Sequence, residues 1–229
     1  MIKRFTNADI LRKQINLNRL HEEFPILRSL RGQAEGSERY LPVLRDNSAA
    51  LYCFLLSLKR PKTLFEAGTL LGYSAILAAA ALKKAGADDF RIITCEISEE
   101  NAKAALSNIK ESGFSDNIDL ILGDASEIIK CLPGRFDVVF LDSAKSQYVS
   151  MLPDVLSHLA DGGLLICDDI SYHDLTGLSP EDTPHKHRTI VNNLARFTDA
   201  VANNPDLIPF MDLMDDGMLA AIYRSDVKR

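Results

Sequence analysis

Short apolar runs alternate with helical segments from Lys62 onward, and this alternation constrains the fold more than any other feature of the sequence. Strands that alternate with helices form a mostly parallel sheet that is covered by helices on both faces. The sequence therefore predicts a doubly wound α/β core over residues 61–229. Its predicted strands are Thr63–Ala67, Arg91–Glu96, Ile118–Leu122, Phe136–Leu141, Gly163–Cys167, Leu207–Leu213 and Met218–Tyr223.

Residues 1–60 lack this alternation and carry apolar residues at helical spacing instead. We predict helices over Asp9–Glu23 and Asn47–Leu58, with a break at Gly32–Gly36 and an extended segment at Leu41–Leu44. No linker or repeat separates this part from the rest of the chain. The sequence is therefore predicted to form a single domain over residues 1–229, with a helical N-terminal extension.

Composition limits the class of protein. The chain has 229 residues, of which 46% are hydrophobic, and a formal net charge of −6. This charge argues against a protein that coats nucleic acid through bulk charge, although a local basic patch stays open. The longest apolar run, Ala75–Leu82, is too short to span a bilayer, so no membrane partner is expected. Four scattered cysteines without a CxxC pair fit a reduced, cytoplasmic setting.

Polar residues follow the predicted strands, where an α/β sheet binds its ligands. Gly68 and Gly72 have GxxxG spacing, which differs from both dinucleotide and phosphate-binding loops; a plain strand–helix turn is the alternative. Glu96 can accept hydrogen bonds from a ribose, or be a solvated acid. Asp124 can reach an adenine amino group, and Glu66 can accept from an ammonium. Such contacts without a diphosphate loop describe S-adenosylmethionine better than NAD.

Three carboxylates end the fourth and fifth predicted strands. If these strands are adjacent, Asp142, Asp168 and Asp169 converge and repel each other, and a hard cation such as Mg²⁺ relieves that repulsion. The alternative is helix capping by Asp142 and a polar loop at the other two. Lys145 is a candidate base, because a nearby cation lowers the pKa of a lysine. A surface lysine paired with Asp142 is the alternative.

Three sequence blocks together resemble the signatures of the cation-dependent O-methyltransferases, the family of the catechol and caffeoyl-CoA enzymes. Phe65–Ser74 is similar to E-I-G-T-x-x-G-Y-S, and Phe136–Tyr148 is similar to F-D-x-x-F-x-D-x-x-K-x-x-Y. Gly162–Asp169 resembles G-G-x-x-x-x-D-N. Order and spacing agree from about Pro42 to the C-terminus, so the resemblance covers most of the chain.

Within that family, the sequence is most similar to bacterial enzymes of the tRNA 5-hydroxyuridine methyltransferase type. This similarity is carried by the extended segment Leu41–Leu44, the segment His187–Ile190 and the turn Asp216–Gly217. Asp169 departs from the family pattern, which usually has Asn at this position.

The family resemblance implies a Rossmann-like class I methyltransferase fold, with seven mostly parallel strands and the last one antiparallel. It places the cofactor against Leu44, Gly68, Ser74, Glu96, Gly123, Ala125 and Asp142, to which the residue-level reasoning adds Glu66, Gly72 and Asp124. It assigns the metal, Mg²⁺ or another divalent cation such as Mn²⁺ or Ca²⁺, to Asp142, Asp168 and Asp169. It makes Lys145 the base, beside a catalytic Asp142.

The sequence thus predicts an S-adenosylmethionine-dependent, metal-assisted O-methyltransferase that acts on a hydroxyl group. Both a catechol-like small molecule and a tRNA 5-hydroxyuridine stay open as acceptors. A nicotinamide-dependent oxidoreductase is the first alternative, which the GxxxG spacing disfavours. A non-catalytic cofactor-binding protein is the second, which the Asp169 departure favours. Many members of the family form dimers, so we expect a homodimer, with the helix Ala49–Leu58 as its candidate surface.

Overall fold

Three helices precede the sheet in the computed structural model, which describes residues 15–38, 41–172, 175–176, 178 and 181–225. They are α1 (Ile15–Glu23), α2 (Pro25–Gly36) and α3 (Asp46–Lys59). The predicted break at Gly32–Gly36 is wrong, because α2 buries Ile26, Leu27, Leu30 and Ala34 at helical spacing. This burial outweighs the cost of about 1 kcal/mol for a glycine inside a helix. Residues 9–14 of the first predicted helix lie outside the described residues.

The α/β core follows the predicted alternation closely. Its elements are β1 (Thr63–Ala67), α4 (Tyr73–Lys84), β2 (Arg91–Glu96), α5 (Glu99–Ser112), β3 (Ile118–Leu122), α6 (Ala125–Cys131), β4 (Phe136–Leu141), α7 (Tyr148–His158), β5 (Leu159–Asp168), α8 (Arg188–Ala202), β6 (Leu207–Asp212) and β7 (Met218–Tyr223). The seven strands form one sheet in the order β3-β2-β1-β4-β5-β7-β6.

Strand direction confirms the predicted fold class. The strands β1 to β5 pair in parallel, whereas β7 pairs antiparallel with both β5 and β6. The last strand is therefore the antiparallel one. The fifth strand begins at Leu159 rather than at the predicted Gly163, because Leu159 already pairs with Phe136 before a shift of register.

The sheet separates two hydrophobic cores, one on each face. Leu64 of β1 points into the first core with the N-terminal helices, α3 and α4, whereas Phe65 points into the second with α7 and α8. Tyr52 of α3 stacks on Phe140 of β4, with ring centroids 4.5 Å apart. The N-terminal extension therefore packs on the same face of the sheet as α4.

Helix α4 contains the longest apolar run of the sequence, and all of Ala75–Leu82 is buried. Small alanine side chains allow α3 and the sheet to approach this helix closely. Across the described part of the chain, no helix has the length and apolar character needed to cross a membrane.

Candidate functional site

A cavity of about 340 Å³ opens at the carboxyl ends of the central strands. Most of the predicted cofactor residues line it, namely Leu44, Gly68, Ser74, Glu96, Gly123, Asp124, Ala125 and Asp142, and Lys145 lines it too. Two predicted residues, Glu66 and Gly72, are absent from the lining. The cavity is therefore built mainly from residues that directly follow the strands, as α/β topology predicts.

Strand order arranges the polar residues along the cavity. Asp124 follows β3, Glu96 ends β2, Gly68 follows β1 and Asp142 follows β4, and these four strands are consecutive in the sheet. An extended ligand that lies along this edge meets the four residues in that order.

The carboxylate of Glu96 is held by main-chain donors. Its Oε2 accepts a hydrogen bond from the Leu70 amide at 2.8 Å, and its Oε1 accepts from the Ser98 amide at 2.9 Å. Oε1 also accepts from Asn101 Nδ2 at 3.5 Å. A carboxylate oxygen has two lone pairs, so Oε2 retains capacity for a ligand hydroxyl. Glu96 is therefore a fixed acceptor in the cavity wall rather than a freely solvated acid.

Asp124 combines a structural contact with a place in the cavity. Its Oδ1 accepts from the amide and the hydroxyl of Ser126, both at 2.8 Å, and so caps α6. Its Oδ2 accepts from Gln147 Nε2 at 3.2 Å. The bonds from Ser126, followed by that from Gln147, lower the pKa of Asp124. Sequence reasoning missed Gln147, a cavity residue whose only sequence signal is its place two residues after Lys145.

The glycine pair has two different roles. Gly68 has φ +100°, and a Cβ there would lie 2.2 Å from the carbonyl oxygen of Asp142. This close approach brings the ends of β1 and β4 together. Gly72 has φ +86° and directly precedes α4, and a Cβ there would lie 3.6 Å from Ala105. Gly72 itself does not line the cavity. Gly72 therefore forms the strand–helix turn, and its cofactor contact stays a prediction.

Glu66 lies beneath the cavity and is fully buried. Its Oε1 accepts from the Thr94 hydroxyl at 2.8 Å, while its Oε2 is buried without a hydrogen-bond partner among the described residues. Burial raises the pKa of Glu66 to about 8, although the Thr94 bond lowers it. The raised pKa favours the neutral form of Glu66 at pH 7. The predicted contact of Glu66 with a ligand ammonium stays a prediction.

Lys145 lies between acidic side chains at the ends of β4 and β5. Its Nζ is 3.2 Å from Asp142 Oδ1 and 3.4 Å from Asp169 Oδ2. Burial raises the pKa of Asp168 to about 8, with a further contribution from Asp142, and burial also raises the pKa of Asp169. The predicted acids and the predicted base thus belong to one charged cluster.

The chemistry of this cluster fits a hard divalent cation. The Oδ1 atoms of Asp168 and Asp169 are buried without a hydrogen-bond partner in the described part of the chain. Carboxylate oxygens are the ligands that such cations prefer. Within the described ranges, however, no three His, Cys, Asp or Glu side chains are already arranged around a common metal position. The ammonium of Lys145 balances part of the negative charge of Asp142 and Asp169.

The pKa of Lys145 is higher than that of an ordinary lysine. Burial lowers this pKa, but coupling to Tyr148 and to the surrounding aspartates outweighs burial and raises it well above the usual value. The lower pKa of Lys145 that the sequence predicts depends on a nearby cation. The surrounding aspartates favour the protonated form of Lys145.

Known proteins with similar sequences share the O-methyltransferase description. Catechol O-methyltransferase of Niastella koreensis is 30% identical over 154 residues, which cover 66% of this chain and 67% of that protein. Caffeoyl-CoA O-methyltransferase 1 of Eucalyptus globulus is 31% identical over 57% of this chain. The aligned region spans about half of the Eucalyptus protein and of the O-methyltransferase hkm8 of Aspergillus hancockii (53% and 48%).

Solved structures support the fold. The O-methyltransferase from Bacillus cereus in complex with SAH superposes with a TM-score of 0.76 at 22% identity, covering 87% of this chain and 91% of that chain. TomG of Streptomyces achromogenes, in complex with SAM, gives a TM-score of 0.71 at 23% identity, covering 98% and 92%.

A sequence model described as O-methyltransferase matches residues 20–223. This match extends from α1 to the end of β7 and contains all three sequence blocks. It confirms the family predicted from the residues, although it does not test the similarity to the tRNA subtype. The chain belongs to the O-methyltransferase family.

Proposed function

We propose that the protein transfers the methyl group of S-adenosylmethionine to a hydroxyl group, with the help of a divalent cation. The observation that carries this proposal is the single cavity wall that runs from Asp124 past Glu96 and Gly68 to the Lys145 cluster. We infer that S-adenosylmethionine lies extended along this wall. In this proposal, Asp124 contacts the adenine, Glu96 contacts the ribose, and Gly68, with Leu44 and Ser74, contacts the methionine end.

The methyl acceptor then lies beside Lys145 and Asp142. Lys145 takes the hydroxyl proton, and Asp142 fixes the position of the Lys145 amine through the contact at 3.2 Å. Asp142, Asp168 and Asp169 would hold the cation, Mg²⁺ or alternatively Mn²⁺ or Ca²⁺, which lowers the pKa of a hydroxyl bound to it. Alignment of the acceptor oxygen with the methyl carbon and the sulfur supplies further acceleration through proximity.

A catechol-like small molecule is the acceptor we favour, because the curated relatives include a catechol and a caffeoyl-CoA O-methyltransferase. A tRNA 5-hydroxyuridine is the other acceptor, on the sequence similarity alone. The four cysteines are free thiols, which fits the proposed cytoplasmic location.

A homodimer is also part of the proposal. Tyr52, Cys53 and Leu56 of α3 face the core, so only the opposite side of this helix is available to a partner. That side exposes Phe54 and Leu58, by 58% and 73%. Exposed apolar side chains of this size are typical of association surfaces. Light scattering at several protein concentrations tests this point, and a monomer mass throughout would contradict it.

Transfer of labelled methyl groups tests the proposed function directly. We expect the protein to methylate a member of a catechol panel in the presence of Mg²⁺, to lose this activity with EDTA, and to regain it when Mg²⁺ is restored. Total tRNA in a parallel reaction tests the other acceptor. Calorimetry with SAH and with NADH separates a methyltransferase from an oxidoreductase. SAH binding without methyl transfer to either acceptor class would favour a non-catalytic protein.

Glu66→Gln separates a structural from a ligand-binding role of Glu66. Because the pKa of Glu66 is near 4.5 in the unfolded chain and about 8 in the folded one, its contribution to stability is complete below 4.5 and is lost as the pH rises through 8. Gln cannot release a proton. We therefore expect the melting temperature of Glu66→Gln, relative to wild type, to rise by about 3 °C or more between pH 5 and pH 8.5, the effect of about 1 kcal/mol or more.

The same variant measures the predicted contact with the cofactor ammonium. A neutral, structural Glu66 predicts unchanged SAH affinity in Glu66→Gln at pH 7, measured by calorimetry. An ionised Glu66 that accepts from the ammonium predicts a loss of about tenfold, as expected for a charge-assisted hydrogen bond. We expect unchanged affinity, because Glu66 is buried outside the cavity lining.

A further inference from the structure

We propose that Arg31, in the N-terminal helix α2, is a positioning residue for the methionine end of the cofactor. This inference depends on the proposed function, since it concerns how the cofactor cavity is held in shape. Arg31 is outside the cavity lining, and its side chain is 16% exposed. It acts through two residues that do line the cavity, Leu44 and Tyr73.

The guanidinium of Arg31 connects three parts of the chain. Its Nη2 donates to the carbonyl oxygen of Leu44 at 2.7 Å and to the hydroxyl of Tyr73 at 3.0 Å. Its Nη1 forms an ion pair with Asp46, the first residue of α3. The planar fork of an arginine makes these contacts simultaneously, which a lysine ammonium on a flexible stem does less well. Arg31 thereby ties α2 to the cavity wall and to the start of α3.

Two side chains of the N-terminal extension, His21 of α1 and Arg31 of α2, hold Tyr73. The guanidinium carbon of Arg31 lies 5.3 Å from the centroid of the Tyr73 ring. Because Arg31 is only a donor, the Tyr73 hydroxyl accepts from it, and its own proton is available to His21 Nε2 at 3.1 Å. Burial and the charges of Arg31 and Arg28 lower the pKa of His21 to about 4, so that His21 is a neutral acceptor at pH 7. Tyr73 is thereby fixed immediately before the cavity residue Ser74.

The segment that contains Leu44 needs such an anchor. Residues 41–45 form neither a helix nor a strand, although Pro42, Val43 and Leu44 make up one wall of the cavity. The Arg31 bond fixes the peptide plane after Leu44 and hence the path of this wall. Leu44 and Ser74 stand with Gly68 at the end of the cavity that we assign to the methionine moiety. Asp124 and Glu96, at the other end, are attached to β3 and β2 and do not depend on Arg31.

This division predicts an effect that depends on the ligand. We expect Arg31→Ala to weaken binding of SAH about tenfold, the usual effect of a lost hydrogen bond to a charged group. Binding of 5′-methylthioadenosine, which lacks the amino-acid moiety, should stay within twofold of wild type. In turnover, the KM for S-adenosylmethionine should rise about tenfold while kcat at saturation changes less than twofold.

Three further variants complete the calorimetric and kinetic experiment. Arg31→Lys should recover part of the SAH affinity, and Arg28→Ala, an exposed arginine on the same helix, should match wild type. If Arg31→Ala does not fold, Tyr73→Phe removes only the hydroxyl and should weaken SAH about threefold with no change for methylthioadenosine. An equal loss of affinity for SAH and for methylthioadenosine would overturn the positioning role. A smaller fraction of active enzyme at an unchanged KM for S-adenosylmethionine would overturn it too. Failure of wild type to bind SAH would instead overturn the proposed function.

Discussion

Replacement of Lys145 by Met is expected to lower kcat about 10²–10⁴-fold, the usual contribution of a general base. Met has a similar length but no amine, and the Lys145 side chain is only 15% exposed at the end of the cavity. Removal of the amine therefore deletes the proposed proton acceptor while the cavity wall largely retains its shape. Because the proposed cofactor contacts Asp124, Glu96 and Gly68 follow other strands and Asp142 is unchanged, SAH affinity should stay within about threefold of wild type.

Lys145→Arg is the matched control for charge. Arginine preserves a cation that can pair with Asp142 and Asp169, but it cannot be deprotonated in proteins. A base at Lys145 therefore predicts that Lys145→Arg is as inactive as Lys145→Met. Single-turnover rates with Mg²⁺ at pH 6–10 measure this, and recovery of most of the activity by Arg would show that only the positive charge matters.

Wild type should show a specific pH dependence in the same measurements. The anionic neighbours raise the pKa of Lys145, so the fraction of neutral amine is small at pH 7 in the protein alone. A bound divalent cation opposes these anions and lowers that pKa. We expect the rate to increase with pH in wild type, and both Lys145 variants to lack this increase.

The elements of the sheet were predictable because each buried strand is a short apolar run with a turn signal at its end. The bounds of β1 to β4 coincide with the predicted ones. Asp142 and Lys145 were equally predictable, since a parallel sheet brings residues after adjacent strands to one edge. In these parts, local pattern and tertiary position agree.

Features that depend on distant contacts were not predictable. Gly32 looks like a break in sequence, yet the burial of Leu30 and Ala34 beside it keeps α2 continuous. Arg31 and Gln147 reach the site through bonds to residues 13 to 42 positions away, for which a single sequence carries no signal. The depth of Glu66 beneath the cavity is likewise a property of the packed sheet.

The Asp169 departure acquires a physical meaning from the structure. Asp169 supplies Lys145 with a second carboxylate, beside Asp142, where an asparagine would offer a neutral amide. This additional anion stabilises the protonated form of Lys145. It also adds a negative charge to the oxygen cluster, which favours a doubly charged cation there. Asp169 is therefore compatible with the proposed metal-assisted mechanism and does not by itself support a non-catalytic protein.

Gly68→Ala is expected to abolish measurable SAH binding and to destabilise the fold by about 3–5 kcal/mol, the range of severe steric substitutions. The new Cβ would lie 2.2 Å from the carbonyl oxygen of Asp142, and this backbone atom cannot move aside as a side chain would. To relieve this contact, the ends of β1 and β4 must separate. Their separation displaces both the turn that contains Gly68 and the Lys145 cluster.

Two other glycines distinguish this collision from backbone strain. Gly86→Ala, at φ +76° with no atom within 4 Å of the new Cβ, introduces strain alone. Gly72→Ala, at φ +86° and 3.6 Å from Ala105, adds only ordinary contact. Each should cost about 1–2 kcal/mol, the penalty of a left-handed alanine, and Gly86→Ala should bind SAH like wild type. Urea unfolding and calorimetry measure both quantities. If Gly68→Ala and Gly86→Ala had the same stability and the same SAH affinity, the close approach of β1 and β4 would not shape the cofactor site. Cofactor binding would then have to depend on the Glu96 side of the cavity.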